Sequence, residues 1–163
     1  MKIEICQASD IPELARVFVE MDSYYFDNEG ASYDEMISYL THRVFSAYSG
    51  VTILGAWKNG ILVGFATFTV MFPAPKCSGQ VYMKDLFTSA EVRGQGVGKS
   101  LMGFIAAFAI EHGCMRFDWT AETTNPKAAE FYLSLGASLI EEKQYFRLEH
   151  QNLATFAMQN SQS

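Results

Sequence analysis

Between an apolar run at residues 81–88 and a second one ending near Glu111, the chain reads Arg93-Gly94-Gln95-Gly96-Val97-Gly98-Lys99-Ser100. No other segment restricts the fold as tightly. A strand that turns into a helix through Gly94, Gly96 and Gly98 can adopt positive φ and let backbone approach a ligand closely. The first amides of the helix have no acceptor within it, and the helix dipole adds positive potential there, so the turn suits an anion such as a pyrophosphate. Arg93, Lys99 and Ser100 supply further donors. A Walker A loop, Gly-x-x-x-x-Gly-Lys-Ser/Thr, ends like Gly98-Lys99-Ser100 but needs a glycine where Arg93 stands. The dinucleotide pattern Gly-x-Gly-x-x-Gly fails as well, because it would end on Lys99 or Leu101. A plain glycine-rich strand-to-helix turn is the remaining alternative.

The chain has 163 residues, 49% of them hydrophobic and 18% charged, enough to bury one core and too little for two. The expectation is one domain over residues 1–158, followed by a loose polar tail at 159–163. A net charge of -6 argues against nucleic acid, whose binders carry basic patches, and favours a cationic ligand. Cys6, Cys77 and Cys114 are odd in number and far apart, so they form neither a disulfide framework nor a metal-binding pair. His42, His112 and His150 lack partners at ligand spacing, so no metal is expected. Residues 1–6 contain no signal-like apolar run, and 103–110 is too short to cross a bilayer. The expected setting is cytoplasmic, without a membrane partner.

Residues 2–6 alternate as a short strand. Ser9-Asp10-Ile11-Pro12-Glu13 opens a helix whose stripe is Ile11, Leu14, Val17, Phe18 and Met21. Ser32-Tyr33-Asp34-Glu35 has capping-box spacing and starts a second helix. Strands are expected over 51–57 and 61–71, joined by Asn59-Gly60, and over 81–88. The helix after the glycine turn ends at His112-Gly113, a strand follows over 116–121, and Asn125-Pro126 caps a helix that stops at Gly136. Short strands are expected at 138–140 and 144–148.

Arg-x-x-Gly-x-Gly, from Arg93 to Gly98, resembles the acetyl-coenzyme A loop of the GNAT N-acetyltransferases. Asn125-Pro126-Lys127-Ala128-Ala129-Glu130-Phe131-Tyr132-Leu133-Ser134-Leu135-Gly136-Ala137 is similar to that family's Asn-x-x-Ala-x-x-Phe-Tyr-x-x-x-Gly segment, at the family's separation from the loop. The order of elements also resembles the GNAT fold over nearly the whole chain. Within the family, Tyr82-Met83-Lys84-Asp85-Leu86-Phe87, Gly136-Ala137-Ser138 and Phe146-Arg147-Leu148 are most similar to the spermidine/spermine and thialysine N-acetyltransferases. Lys84 departs from that branch, which has an acid there, and Asp85 follows it.

The resemblance implies an α/β (α+β) fold with a mixed, mostly antiparallel central sheet and helices on both faces. It implies acetyl transfer from acetyl-CoA to a primary amine by direct attack in a ternary complex, and a homodimer. The acceptor expected is a small diamine- or polyamine-like cation, consistent with Asp22, Asp27, Glu29, Asp34 and Glu35 around the first interhelical loop. A protein or peptide amine, or a coenzyme A-binding module without turnover, are the alternatives. By position, Leu86, Phe87 and Thr88 hold the acetyl group and the pantetheine arm. Arg93, Gly94, Gln95, Gly96, Val97, Gly98, Lys99 and Ser100 surround the pyrophosphate. Asn125 is either a contact to the cofactor arm or a helix cap. Tyr132 matches the general acid, with a core aromatic as the alternative. Asp85 is the candidate base once Lys84 displaces the usual acid, and Tyr24, Asp27, Lys84 and Glu122 are candidates for the amine. Asp118 and Glu122 either hold the substrate ammonium or abstract a proton through water, with solvated surface acids as the alternative.

Overall fold

Ile11, Leu14, Ala15, Val17 and Phe18 recur at three- and four-residue spacing, and they form the face that α1 (Ile11–Phe26) buries. The computed structural model describes residues 1–27 and 29–161, which fall into two compact units, Met1–Glu122 and Thr123–Ser163. The first unit contains β1 (Lys2–Ile5), α1, α2 (Tyr33–Tyr39), β2 (Thr52–Lys58), β3 (Ile61–Ala74), β4 (Ser78–Thr88), α3 (Val97–Glu111) and β5 (Cys114–Asp118). The second contains α4 (Pro126–Ser134) and α5 (His150–Asn160).

The sheet order is β1-β2-β3-β4-β5. The pairs from β1 to β4 are antiparallel, and β5 joins β4 in parallel. Phe65 of β3 stacks on Phe18 of α1 with centroids 4.2 Å apart, while Phe68 meets Phe108 of α3 edge-on at 5.2 Å. Odd and even positions of a strand point to opposite faces, so α1 and α3 cover the two sides of the sheet. Phe65, Phe68, Leu14, Leu62, Leu101 and Ile105 are fully buried, each contributing about 1.5 to 3 kcal/mol relative to exposure.

Local signals act where the residues require. Asn59 and Gly60 take φ 52 and 78, the two positive values of a type I′ hairpin. Ser32 Oγ accepts from Glu35 N at 3.2 Å, and Glu35 Oε2 accepts from Ser32 N at 2.8 Å, closing the capping box of α2. Hydrogen bonds from the Ser32 backbone and, secondly, its side chain hold the Glu35 carboxyl below its ordinary value.

The structure differs from the sequence expectation in four places. β5 runs over Cys114–Asp118 and not over 116–121. β3 and β4 extend past the prolines to Ala74 and from Ser78, joined by a tight turn at Pro75–Cys77. The strands expected at 138–140 and 144–148 are absent: residues 135–149 form turns and irregular backbone. Alternation there offers strand-like side chains, but a strand also needs a partner for its backbone, and none is paired with it. Finally, α5 was not signalled, and it takes in Gln159 and Asn160 of the expected tail. Gln162 and Ser163 lie outside the described residues.

Cys6 is buried against the sheet, and burial, followed by the charges of Asp10 and Glu4, pushes its thiol from 9.0 up to about 12. A raised folded-state value means that the neutral thiol favours folding fully below pH 9.0 and that this contribution is lost as pH climbs from 9.0 toward 12. Denaturant titrations across that window should show a steeper loss of stability for the native chain than for Cys6→Ala. Equal slopes would refute this role for Cys6.

Candidate active site

The turn after β4 is built by two left-handed residues. Gly94 and Gly96 have φ 75 and 81, and nothing lies within 4 Å of the place where a Cβ would sit on either. Gly96 is the N-cap of α3. Ser100 N reaches back to Gly96 O at 3.0 Å, so the amides of Val97, Gly98 and Lys99 stand in the first turn, where a helix offers no acceptors. The result is an uncluttered, amide-lined end of a 15-residue helix, where the free amides and the helix dipole favour an anion.

β4 carries the second feature. Asp85 pairs with Thr67, and the next pair is Met83 with Phe68, which leaves Lys84 as the extra residue of a bulge. On its other side β4 pairs with β5 only over residues 79–82. Among the described residues, 83–88, including Leu86, Phe87 and Thr88, therefore have no strand partner on that edge, and this open edge runs straight into the glycine turn.

The third feature is a cavity of about 440 Å³ whose walls include Asp22, Tyr25, Phe26, Tyr39, Lys84 and Asp85. Asp85 Oδ2 accepts from the hydroxyl of buried Thr67, whose Oγ1 in turn accepts from Asp85 N at 3.1 Å, while Asp85 Oδ1 stands 3.4 Å from Lys84 Nζ. Thr67 thus fixes the carboxylate from behind, leaving its other oxygen toward Lys84. Burial, then Tyr24 and the Asp85 carboxylate, push the Tyr25 phenol up, against an opposing effect of Arg93. Tyr25 therefore remains a hydroxyl donor at neutral pH.

The predicted residues divide accordingly. Lys84 and Asp85 line the cavity. Tyr24 does not: its ring lies under the Arg93 guanidinium, 4.6 Å from the centroid, beside Phe87. Arg93 Nε also donates to Thr88 O at 3.2 Å, so Arg93 ties the end of β4 to α1. Gln95 donates to Glu91 O and accepts from Lys58. Asp27 is the left-handed C-cap of α1, exposed with φ 46. Glu122 is exposed beyond β5. Of the five loop acids, Asp22 lines the cavity, and its Oδ2 accepts from Ala31 N at 3.3 Å.

In the second unit, Asn125 caps α4, its side-chain oxygen accepting from Ala128 N at 3.3 Å. Tyr132 is half-buried on the same helix, its ring 5.3 Å from that of Phe131.

Sequence reasoning missed Tyr25, Tyr39 and Thr67. The signal for Tyr25 was present: Phe18, Met21, Asp22 and Tyr25 follow the i, i+3, i+4, i+7 spacing of one helix face. Thr67 had none, because its role depends on cross-strand register.

A profile of the Acetyltransferase (GNAT) family matches residues 14–137, spanning both the glycine turn and the Asn125 to Gly136 segment. The chain belongs to the GNAT acetyltransferase family. Among GNAT relatives and related structures, it is 26% identical over 106 residues to thialysine N-epsilon-acetyltransferase of Sus scrofa, covering 63% of this chain and 62% of that protein. It is 30% identical over 88 residues to L-ornithine N5-acetyltransferase of Arabidopsis thaliana, covering 54% and 39%. The chain thus spans less than two thirds of the length of these curated relatives. A solved integron cassette protein from the mobile metagenome of V. cholerae matches with a TM-score of 0.94 and 49% identity, over 96% of each chain.

Proposed function

We propose that this GNAT protein transfers the acetyl group of acetyl-CoA to the primary amine of a small cationic molecule, by direct attack in a ternary complex. The observation that carries the reading is the course of β4. Asp85 lines an acidic and aromatic cavity, Leu86, Phe87 and Thr88 follow with an unpaired edge, and the strand then delivers the chain to Gly94 and Gly96 at the α3 N-terminus. The open space at both glycines and the unpaired edge fit the pyrophosphate and the amide-bearing arm of acetyl-CoA. When bound, acetyl-CoA supplies the activated thioester.

The chain's own groups then have simple duties. Asp85 takes the proton that the amine must lose, directly or through water, and the Thr67 hydroxyl keeps its carboxylate aimed. The amides of β4 donate to the carbonyl oxygen as negative charge develops there. Tyr132, placed by its motif, gives a proton to the departing sulfur. Asp22 attracts a second positive centre on the acceptor, and the faces of Tyr25 and Tyr39 add cation–π attraction of about 0.5 to 2 kcal/mol. Thialysine and ornithine, in the names of the relatives, support a cationic acceptor. A homodimer in the cytoplasm is part of the same reading.

Two outcomes follow. Gly96→Asp places a side chain at a left-handed position and a negative charge at the helix N-terminus, and calorimetry is expected to show acetyl-CoA affinity reduced about 100-fold. Unchanged affinity would remove the pyrophosphate from this turn. Asp22→Asn keeps the acceptor for Ala31 N but loses the charge, so KM for a diamine should rise about tenfold while KM for a neutral monoamine stays constant. The proposal as a whole is tested by thiol release from acetyl-CoA across a panel of diamines, lysine-like amines, peptides and acidic amines. Release with the cations foremost supports it, and release only with a peptide amine would replace the acceptor.

A further inference from the structure

Ser89 stands at the N-cap of a single 3-10 turn, Ala90–Val92, that links β4 to the glycine turn. A serine in that position ordinarily turns its oxygen onto the amides that follow, but here its side chain makes no cap bond. The Ser89 hydroxyl instead donates to Glu20 Oε2 at 2.7 Å, and Ala90 N donates to Glu20 Oε1 at 3.3 Å. A half-buried carboxylate of α1, 69 residues earlier in the chain, thus caps the connector from outside. Ser89 N is fixed in turn on Val63 O at 2.9 Å.

One turn along the same helix, Tyr24 lies under the guanidinium of Arg93, whose Nε donates to Thr88 O. Glu20 and Tyr24 are four residues apart, so they share a face of α1 and hold the connector at both ends, one at Ser89 and Ala90 and the other at Arg93. The segment that follows is costly to order. Gly94, Gly96 and Gly98 come in quick succession, and glycine loses more backbone freedom on folding than any other residue. Beyond its chain neighbours, nothing lies within 4 Å of the Cβ place of Gly94 or Gly96, so no side chain braces the turn from within. Its shape is set at its ends, by α3 on one side and by the connector on the other. A carboxylate near an anion site would also repel the anion unless its charge were answered locally, and both oxygens of Glu20 accept hydrogen bonds.

We propose that Glu20 is a positioning residue for the cofactor turn, holding residues 88–93 so that the amides at the α3 N-terminus already face the pyrophosphate before it arrives. Tyr24 braces the Arg93 end. Preorganisation of this kind raises affinity by removing an ordering cost from the binding step. The assignment rests on acetyl-CoA binding at this turn and adds to it a contribution from α1, which the glycine motif does not contain.

Calorimetry with coenzyme A should show Kd raised about tenfold in Glu20→Ala, which loses both bonds. Glu20→Gln should stay within about threefold of the native protein, because its amide can still accept from Ala90 N and meet the Ser89 hydroxyl. Ser89→Ala should weaken binding by a smaller factor, and the Glu20→Ala, Ser89→Ala double variant should bind no more weakly than Glu20→Ala alone, since one bond is counted in both. In steady-state assays Glu20→Ala should raise KM for acetyl-CoA and leave KM for a diamine unchanged, a split that general loss of stability would not produce. If Glu20→Ala does not fold, Ser89→Ala and Glu20→Gln carry the test. Native affinity in Glu20→Ala or Ser89→Ala, an equal loss in Glu20→Gln, or a parallel rise in both KM values would overturn the role of Glu20. Gly96→Asp separates this failure from that of the underlying reading: its loss of coenzyme A affinity keeps the pyrophosphate at the turn whatever Glu20 does, whereas native affinity in Gly96→Asp would remove the site and the positioning role together.

Discussion

Asp85→Asn is expected to lower kcat about 10² to 10⁴-fold, the range for loss of a positioned base, with little effect on acetyl-CoA affinity. The substitution preserves size and can still accept from the Thr67 hydroxyl, so the bulge should hold its shape. What disappears is the capacity to take a proton from the amine. A merely structural role would instead lower the melting temperature and leave the turnover of the folded fraction in place. Thr67→Val tests the support: the valine keeps the branched shape but removes both bonds to Asp85, and the rate should fall by a smaller factor, about tenfold. Full activity in a folded Asp85→Asn protein would assign the proton to water or to another group.

Tyr132→Phe is expected to reduce kcat by about 10² to 10⁴-fold while acetyl-CoA binds nearly as before. The phenol O–H is a donor at the place the motif assigns to the departing sulfur. The ring remains, and with it the contact to Phe131. If the hydroxyl only stabilised the helix, the melting temperature would fall and the turnover of the folded fraction would persist. Single-turnover rates with matched melting curves separate the two cases. A further discriminator is the leaving group: acyl donors whose thiols are more acidic need less protonation and should show a smaller defect in the Phe variant.

The parts of this fold that were legible in the sequence are those decided by neighbours. Asn59-Gly60 accepts two positive φ values at little cost, Ser32 and Glu35 satisfy each other's amides, and Ile11, Leu14, Val17 and Phe18 share a helix face whatever they later touch. The turn from Arg93 to Gly98 was legible for the same reason. The bulge at Lys84 was not, because it exists only in relation to Thr67 and Phe68 on β3. That register places Asp85, one residue after Lys84, in the wall of the cavity. Tyr24 and Tyr25 illustrate a finer limit. One residue along a helix rotates a side chain by about 100°, enough to put Tyr24 under Arg93 and Tyr25 in the cavity wall. Residues 138–149 show the opposite failure, since alternation describes a strand's faces and says nothing of where its backbone partner comes from.

The most direct measurement of the central claim follows both products at once, counting free coenzyme A thiol and acetylated amine by mass spectrometry, with a diamine acceptor and with native, Asp85→Asn and Tyr132→Phe proteins. The account predicts one acetylated primary amine per thiol released by the native protein, no acetyl group left on the protein during turnover, and both variants slowed at least about 100-fold. Thiol release without acetylated amine, an acetyl group trapped on a side chain, or tight coenzyme A binding with no turnover of any amine would contradict it.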